Sequence, residues 1–572
     1  MKASKIIIFI NTLILILCVP GFIFLNRYLS EHDSQTEQPQ ITSIPSKDIT
    51  DNKEHSQDNT TDDGKTTDDE IEEEIQKEIE IVSEALPSNH DFTWDVLKNS
   101  TILENYKNEQ YIDFDSYEKY NNVKGITTFR GNNYRNTASY GYVDATKEKL
   151  EKVWNINIGH IDSWTGVGWN GQPVIVKWED TLREKMNLYN DKKNLDNLKE
   201  VIYGTLDGNI YFLDLDDGSY TRDPINVGAP LKGSVTVDPR GYPLLYSGQG
   251  VDVVGDTRVK IGFRIFSLID QELLYFLDGI DQNSYRLWGA FDSTPLLHEK
   301  TDTLFECGEN GLVYSIKLNT NYDIDKGKIS IDPDVKKYRY TSPVDKRLGI
   351  ESSIAAYKNY GYFADNSGTF TCIDLNTLTP VWVRNVTDDT DSTPAIEDKG
   401  GSDVFVYTAN EVDLQGEGGY SYVRKLNALS GELIWEKGYE CTYNSRLAGG
   451  ALASPVIGKE DIDNLVIYKL SRAYKQNGGK LIALDKETGD EVWVLDMDFY
   501  SWSSPVDVYT KDGKSYIIQC DSGGNMFLIE GTTGKILDKI PLGANVEGSP
   551  AVYDDMIVVG TRGQQIWGVK IK

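Results

Sequence analysis

Short runs in which apolar and polar residues alternate, separated by Gly, Asp or Asn, follow one another from about residue 170 to the end of the chain. A period of two marks a half-buried strand, and a break at DG, NG or GG marks a tight hairpin. Such paired runs are VIYGTLDGNIYFLDLDDG (201–218), LFECGENGLVYSIKLN (304–319), GYFADNSGTFTCIDLN (361–376), YIIQCDSGGNMFLIEGTTG (516–534) and IVVGTRGQQIWGVKI (557–571). Ahead of each stands a short Ser/Gly-x-Pro-apolar phrase or a degenerate relative. It occurs eight times, as GQPVIV (171–176), GSVTVD (233–238), DSTPLL (292–297), SSIAAY (352–357), DSTPAI (391–396), ASPVIG (453–458), SSPVDV (503–508) and GSPAVY (548–553). A phrase returning every forty to sixty residues or so is the signature of one supersecondary unit copied along a chain.

The fullest unit continues into LIALDKETGDEVWVLDM (481–497), where Asp485, Gly489 and Trp493 stand four residues apart. Shorter echoes are CIDLNTLTPVW, ending at Trp382, and LNALSGELIW, ending at Trp435. Each unit therefore holds four short strands. A lone four-stranded sheet leaves its faces and edges to solvent, whereas copies set radially, face against face, bury them. The predicted fold class is all-β: an eight-bladed β-propeller of four-stranded antiparallel blades over residues 125–572. The Gly after the turn suits a left-handed backbone, and the late Trp has a flat neighbouring sheet to cover. The last unit ends after its third strand, QIWGVKIK. The missing fourth is found near the front, in VDATKEKLEKVWNINIG (143–159), with Trp154 in the late-Trp place. A strand at Val153–Ile158 is thus predicted to complete the blade built from residues 545–571 and close the ring.

The pattern breaks before residue 125. Residues 6–25 (IIIFINTLILILCVPGFIFL) form an uncharged run long enough to span a bilayer. Lys2 and Lys5 before it, with Glu31 and Asp33 after it, favour a cytoplasmic N-terminus. Residues 1–30 are read as a signal anchor or transmembrane helix, the competing reading being a signal peptide cleaved after Val19 and Gly21. Residues 31–90 read as an acidic disordered linker; positions 31–80 carry 17 acidic and 4 basic residues and are nearly free of aromatics. Residues 91–124 are expected to form a short helical lead-in, with a helical segment around Trp94 to Tyr120. This places the ring at the cell membrane, single-pass, on the extracytoplasmic side.

Composition then narrows the functions. A chain of 572 residues, 39% apolar, is too long for one core and needs a modular fold. With 89 acidic residues against 58 basic and a net charge of -31, attraction to nucleic acid is disfavoured. Five cysteines and five histidines, with no CxxC or HExxH, are too few for a zinc, iron–sulfur or disulfide framework.

ALDKETGDEVW (483–493) resembles the A-x-D-x-x-T-G-x-x-x-W docking phrase of the pyrrolo-quinoline quinone repeat propellers, and TFRGNNYRNT (128–137) is similar to the aromatic-Arg-Gly lead-in found before such rings. The likeness spans roughly residues 125–572 and is fullest at Ala483, Asp485, Thr488, Gly489 and Trp493. That family contains quinone-dependent dehydrogenases and non-enzymatic envelope propellers, so the resemblance implies the fold and leaves activity open. Alcohol dehydrogenases of the family carry adjacent cysteines above the quinone, whereas Cys307, Cys372, Cys441 and Cys520 stand apart here.

Fold logic puts a ligand on the face where the loops leading into the innermost strands converge on the axis. Those loops supply Trp169, Asn170, Asp292, Arg347, Glu351, Asp391, Arg446, Trp502 and Glu547. One reading is a polar axial pocket, with Arg347 and Arg446 holding an anionic or peptide group and Trp169 or Trp502 stacking on a ring. The plainer reading has the aspartates capping turns, the arginines paired with acids and the tryptophans sealing blades. DLDDG (214–218) fits a hairpin turn better than a calcium loop. The expected function is a non-catalytic binding or scaffolding module of the cell envelope, engaging an envelope protein, peptide or glycan, without catalytic residues, metal or cofactor. The alternatives are a dehydrogenase using pyrrolo-quinoline quinone with calcium, and a ligand-sensing ectodomain.

Overall fold

The computed structural model describes residues 80–169, 171–342, 348–443, 447–473 and 475–572. The anchor expected at 6–25 and most of the acidic linker lie outside these; among the described residues no helix is long and apolar enough to cross a membrane. Eight sheets follow in chain order, each built on four antiparallel strands, and four of them carry one or two further strands. Their innermost strands are Val174–Lys177 (blade 1), Thr236–Val237 (blade 2), Leu296–His298 (blade 3), Ala355–Tyr357 (blade 4), Ala395–Asp398 (blade 5), Val456–Ile457 (blade 6), Val506–Tyr509 (blade 7) and Ala551–Tyr553 (blade 8). Each begins inside one of the eight recurrent phrases.

Closure occurs as the sequence predicts. Leu150–Asn157 pairs antiparallel with Gln565–Ile571, Trp154 standing opposite Gly568, so the fourth strand of blade 8 comes from the front of the chain. The late tryptophans bridge neighbouring blades. Trp154, Trp382, Trp435 and Trp493 pack on Gly218, Gly431, Gly489 and Gly534, each in the last turn of the next blade. Those glycines have φ of +71 to +74°, and a Cβ on any of them would meet the indole at 2.4–3.0 Å. Each indole Nε1 donates to a carbonyl of that same turn: Leu215, Ala428, Lys486 and Gly531 respectively, at 2.8–2.9 Å. The Gly…Trp spacing thus encodes a contact between blades.

The recurrent phrase has its own physical cause. The backbone N–H of Gln172 donates to Ser234 Oγ, that of Thr294 to Ser353 Oγ, and the relay continues through Thr393, Ser454, Ser504 and Ser549, at 2.8–3.1 Å. A hydroxyl at this place satisfies a buried amide of the preceding blade, and the relay ties innermost strands around the axis.

The axis itself is filled by the lead-in. Lys124–Ile126 adds a strand to blade 1. The buried Arg130 donates to the carbonyls of Pro455 and Pro505, both at 2.6 Å, and the buried Arg135 to those of Thr294 and Ile354. Asn133 and Asn136 bond the carbonyls of Ala356 and Ile396, and Val237 and Val552 donate to the carbonyls of Thr127 and Ala138. Residues 124–138 thereby touch every blade.

The helical lead-in expected over 91–124 is not what forms. Thr93–Lys98 is a strand on the outer edge of blade 3, with Trp94 opposite Tyr340 and Val96 opposite Tyr338; helix is limited here to one 3-10 turn, Tyr117–Lys119. Phe92 and Val96 join the core with Tyr338 and Tyr340, and that burial outweighs local helical preference. The end of the expected linker, residues 80–90, also lies on the ring: Val82 N donates to the Ser430 carbonyl, and the buried Ala85 packs beside Gly431.

Candidate functional site at the axial mouth

Two kinds of loop reach the mouth of the ring: those leading into each innermost strand, and the turns between the second and third strands of each blade. The first kind brings Trp169, Asp292, Glu351 and Asp391 around one cavity of about 30 Å³, with Phe129 of the lead-in, Ser234, Thr294, Ser353 and Thr393 also lining it. Trp502 lies edge-on to Trp169, their centroids 5.4 Å apart, and Trp164 flanks Trp169 on another side. Glu547 is taken up by an ion pair with Arg562 at 3.0 Å. Asn170, Arg347 and Arg446 lie outside the described residues.

The described wall is acidic, where the sequence suggested arginines. Asp292, Glu309 and Glu351 bring one carboxylate oxygen each to within 4.8 Å of one another. Glu309 follows the second strand of blade 3 and is 3% exposed. Burial, reinforced by the charges of Glu351 and Asp292, pushes its carboxyl well above the usual range. Burial and the charge of Glu351 do the same to Asp391, while burial and Asp391 raise Asp389 and Glu411. Two cations face this group among the described residues. Lys232 Nζ stands 3.1 Å from Asp292 Oδ2 and 4.6 Å from the Trp169 ring centre. Burial pulls its pKa down, but the carboxylates of Asp292, Glu309 and Glu351 outweigh that and hold it above the ordinary lysine value. Arg286 Nη2 is 3.8 Å from Glu309 Oε2.

The sequence reading missed Lys232, Arg286, Glu309, Asp389 and Glu411. Three of the five sit on the loops it did consider; Glu309 and Glu411 come from turns between second and third strands. The signal was present in GENG (308–311) and ANEV (409–412), where an acid stands just after a strand whose end faces the mouth.

Tyr285 and Leu287, on the connection into blade 3 that also carries Arg286, are 53% and 70% exposed, and the Arg339 guanidinium lies over the Tyr285 ring at 4.7 Å. The DLDDG turn holds Asp214 in a 2.7 Å ion pair with the buried Lys192, which explains its acids without a metal.

A tricyclic quinone needs a pocket of about 300 Å³ or more. The axial cavity, with Phe129 in its lining, is a tenth of that, and the described residues around it do not fit pyrrolo-quinoline quinone. The four ring cysteines are free and buried, and burial raises their thiols.

Residues 341–496 and 477–572 match the family described as outer membrane protein assembly factor BamB. No curated protein matches the sequence. Similar solved structures include the computationally designed Ika8 protein, at 12% identity and a TM-score of 0.44, covering 74% of this chain and 100% of that one. BamB from Moraxella catarrhalis is similar at 14% identity and a TM-score of 0.44, covering 74% and 98%. Quinohemoprotein alcohol dehydrogenase from Comamonas testosteroni is similar at 11% identity and a TM-score of 0.39, covering 78% and 80%. The matched span opens at the outer strand of blade 3 and runs to the end of blade 8, taking in the docking phrase of blade 6 and its Trp-on-Gly relatives: over residues 341–572 the chain is similar to the pyrrolo-quinoline quinone-like repeat β-propellers.

Proposed function

We propose that the protein is a non-catalytic binding propeller of the cell envelope. In this reading residues 6–25 tether it to the membrane, the acidic linker holds the ring on the extracytoplasmic side, and the axial mouth docks a protein or peptide. The observation that carries the reading is the size of the axial cavity, about 30 Å³ with Phe129 in its lining, which suits a water or an ion and is smaller than a pocket for a quinone. The exposed Tyr285 and Leu287, on the connection whose Arg286 reaches Glu309, support a docking surface for a segment with apolar and basic side chains. The match to an outer-membrane assembly factor family agrees with a protein partner.

The test has two arms. Purified protein is incubated with pyrrolo-quinoline quinone and calcium, then followed by absorbance and by dye-linked oxidation of alcohols and sugars; the expected result is neither bound quinone nor turnover, and turnover would replace this reading with the dehydrogenase. In cells, a photo-cross-linking side chain at Leu287 is expected to trap an envelope protein, while the same group at the outer-edge residue Val153 does not. Equal labelling from both positions, or none from Leu287, would remove the mouth as the docking face.

A further inference from the structure

We propose that the polar gap between blades 3 and 4, lined on one side by residues 106–110 of the lead-in, binds a neutral pyranose sugar. The inference is independent of the docking role at the mouth. The strand Thr303–Cys307 starts at this gap and ends close to Glu309, so the two places lie at opposite ends of one blade.

The gap has its cause in the repeat. In blades 4, 6 and 8 the late tryptophans Trp382, Trp493 and Trp154 stand opposite Cys372, Ala483 and Gly568 of the third strand. The same place in blade 3 holds Lys336, opposite Ser315. The receiving turn of blade 4 has changed with it. Four residues after Asp374, where Gly489 follows Asp485, stands Leu378, buried and with φ +52°. Side chains alternate along a strand, so Ser315, Lys317, Asp334 and Lys336 share the face of Phe305, Val313 and Tyr338, which join one core with Phe363 and Ile373 of blade 4. The apolar contact between the blades stops short of this end, and a cavity of about 340 Å³ is left. The lead-in closes one side of it: Asn108 N and Nδ2 donate to the carbonyls of Asn376 and Leu375 at 2.7 and 3.0 Å, and Gln110 Oε1 accepts from Lys317 Nζ at 3.1 Å.

Every residue lining the cavity carries a hydrogen-bonding side chain, and the volume falls in the range of small-molecule sites, about 300–1,000 Å³. A sugar hydroxyl donates and accepts at once, so it needs both kinds of partner side by side. Asn108 and Gln110 supply amides, Asp334 a carboxylate and Ser315 a hydroxyl. Tyr106 supplies a flat ring for the C–H face of a pyranose. That ring packs against the core shared by blades 3 and 4, and burial, with the charges of Asp334 and Glu109 beside it, pushes the phenol up to about 12. An anion fits less well. Lys317 already donates to the Thr301 carbonyl and to Gln110, and Lys336 pairs with Asp334 at 2.7 Å, so both ammonium groups of the blade wall are engaged.

Saturation-transfer NMR on the full-length chain, with glucose, galactose, N-acetylglucosamine and cellobiose as probes, reads binding directly. At least one of these sugars is expected to bind saturably, with the strongest transfer to the C–H protons of one ring face. Tyr106→Ala removes the platform and Ser315→Phe fills the cavity; each is expected to weaken binding about tenfold or more. Val153→Ala, on the outer edge of blade 8, is expected to leave it unchanged. Circular dichroism shows whether each variant is folded, and Gln110→Ala, on the exposed segment, stands in for Ser315→Phe should the larger side chain unfold the blade. Inorganic phosphate is expected not to displace the sugar. Saturable binding by none of the probes, binding undiminished in Tyr106→Ala and in the second variant, or displacement by phosphate would overturn the proposal.

Discussion

At the scale of single residues, two glycines with similar backbones separate two kinds of constraint. Gly534 has φ +71°, and a Cβ there would stand 2.4 Å from Trp493 Cε3; Gly543 has φ +95° and nothing within 4 Å. Gly543→Ala should therefore cost only the left-handed penalty, about 1–2 kcal/mol. Gly534→Ala must in addition push out an indole whose Nε1 donates to Gly531, and is expected to cost about 3–5 kcal/mol, comparable to Trp493→Ala. Urea unfolding of the three variants measures this, and equal losses for the two glycines would show that the Trp–Gly contact contributes little. A smaller effect belongs to the hydroxyl relay. Ser454→Ala leaves the buried Thr393 amide without its acceptor and is expected to cost about 1–3 kcal/mol.

At the scale of elements, the strand Leu150–Asn157 does more than its length suggests, because it joins the two ends of the ring. Removing residues 565–572 deletes one strand and also leaves Trp154 without its strand partner Gly568. The shortened chain is expected to lose its single cooperative transition and expose apolar surface, which dye binding and a broadened denaturation curve would report. Loss of no more than a single blade's stability would mean that the ring does not depend on this join. The segment Thr93–Lys98 shows the limit of local reading. TWDVLK alternates as a strand should, but its partner Asp334–Thr341 lies 248 residues away between Thr93 and Thr341, with no hairpin turn to announce the pair.

At the scale of the whole molecule, buried carboxylates set how stability follows pH. Asp365 is fully buried at the turn of blade 4, and burial pushes its carboxyl up to about 6 although Ser367, Thr369 and Tyr340 all donate to it. A carboxyl with a raised folded pKa binds its proton more readily in the folded state, so stability rises as pH falls from about 6 towards the unfolded value near 4. His298, lowered by burial, and Lys469, which burial pulls down to about 7, oppose this against a larger set of raised acids. The protein is expected to be more stable at pH 5 than at pH 7 by denaturant unfolding. Asp365→Asn should flatten that slope by up to one proton's share, about 1.4 kcal/mol per pH unit at its steepest. An unchanged slope would show that Asp365 stays ionised in the fold.

Strand periodicity, the eight phrases, the Gly…Trp spacing and the missing fourth strand were all legible along the chain, since each is a local pattern repeated until only one arrangement buries every copy. They determined the all-β class, the blade number and the closing strand at Trp154. The chemistry of the mouth was decided by tertiary structure: Glu309 and Glu351 are separated by 42 positions in sequence, and each alone reads as an ordinary loop acid. Turns between second and third strands and connections between blades meet only because the ring curves them onto one axis. That curvature, rather than any motif, turns scattered solvent-type carboxylates into a buried group that lacks a full set of partners.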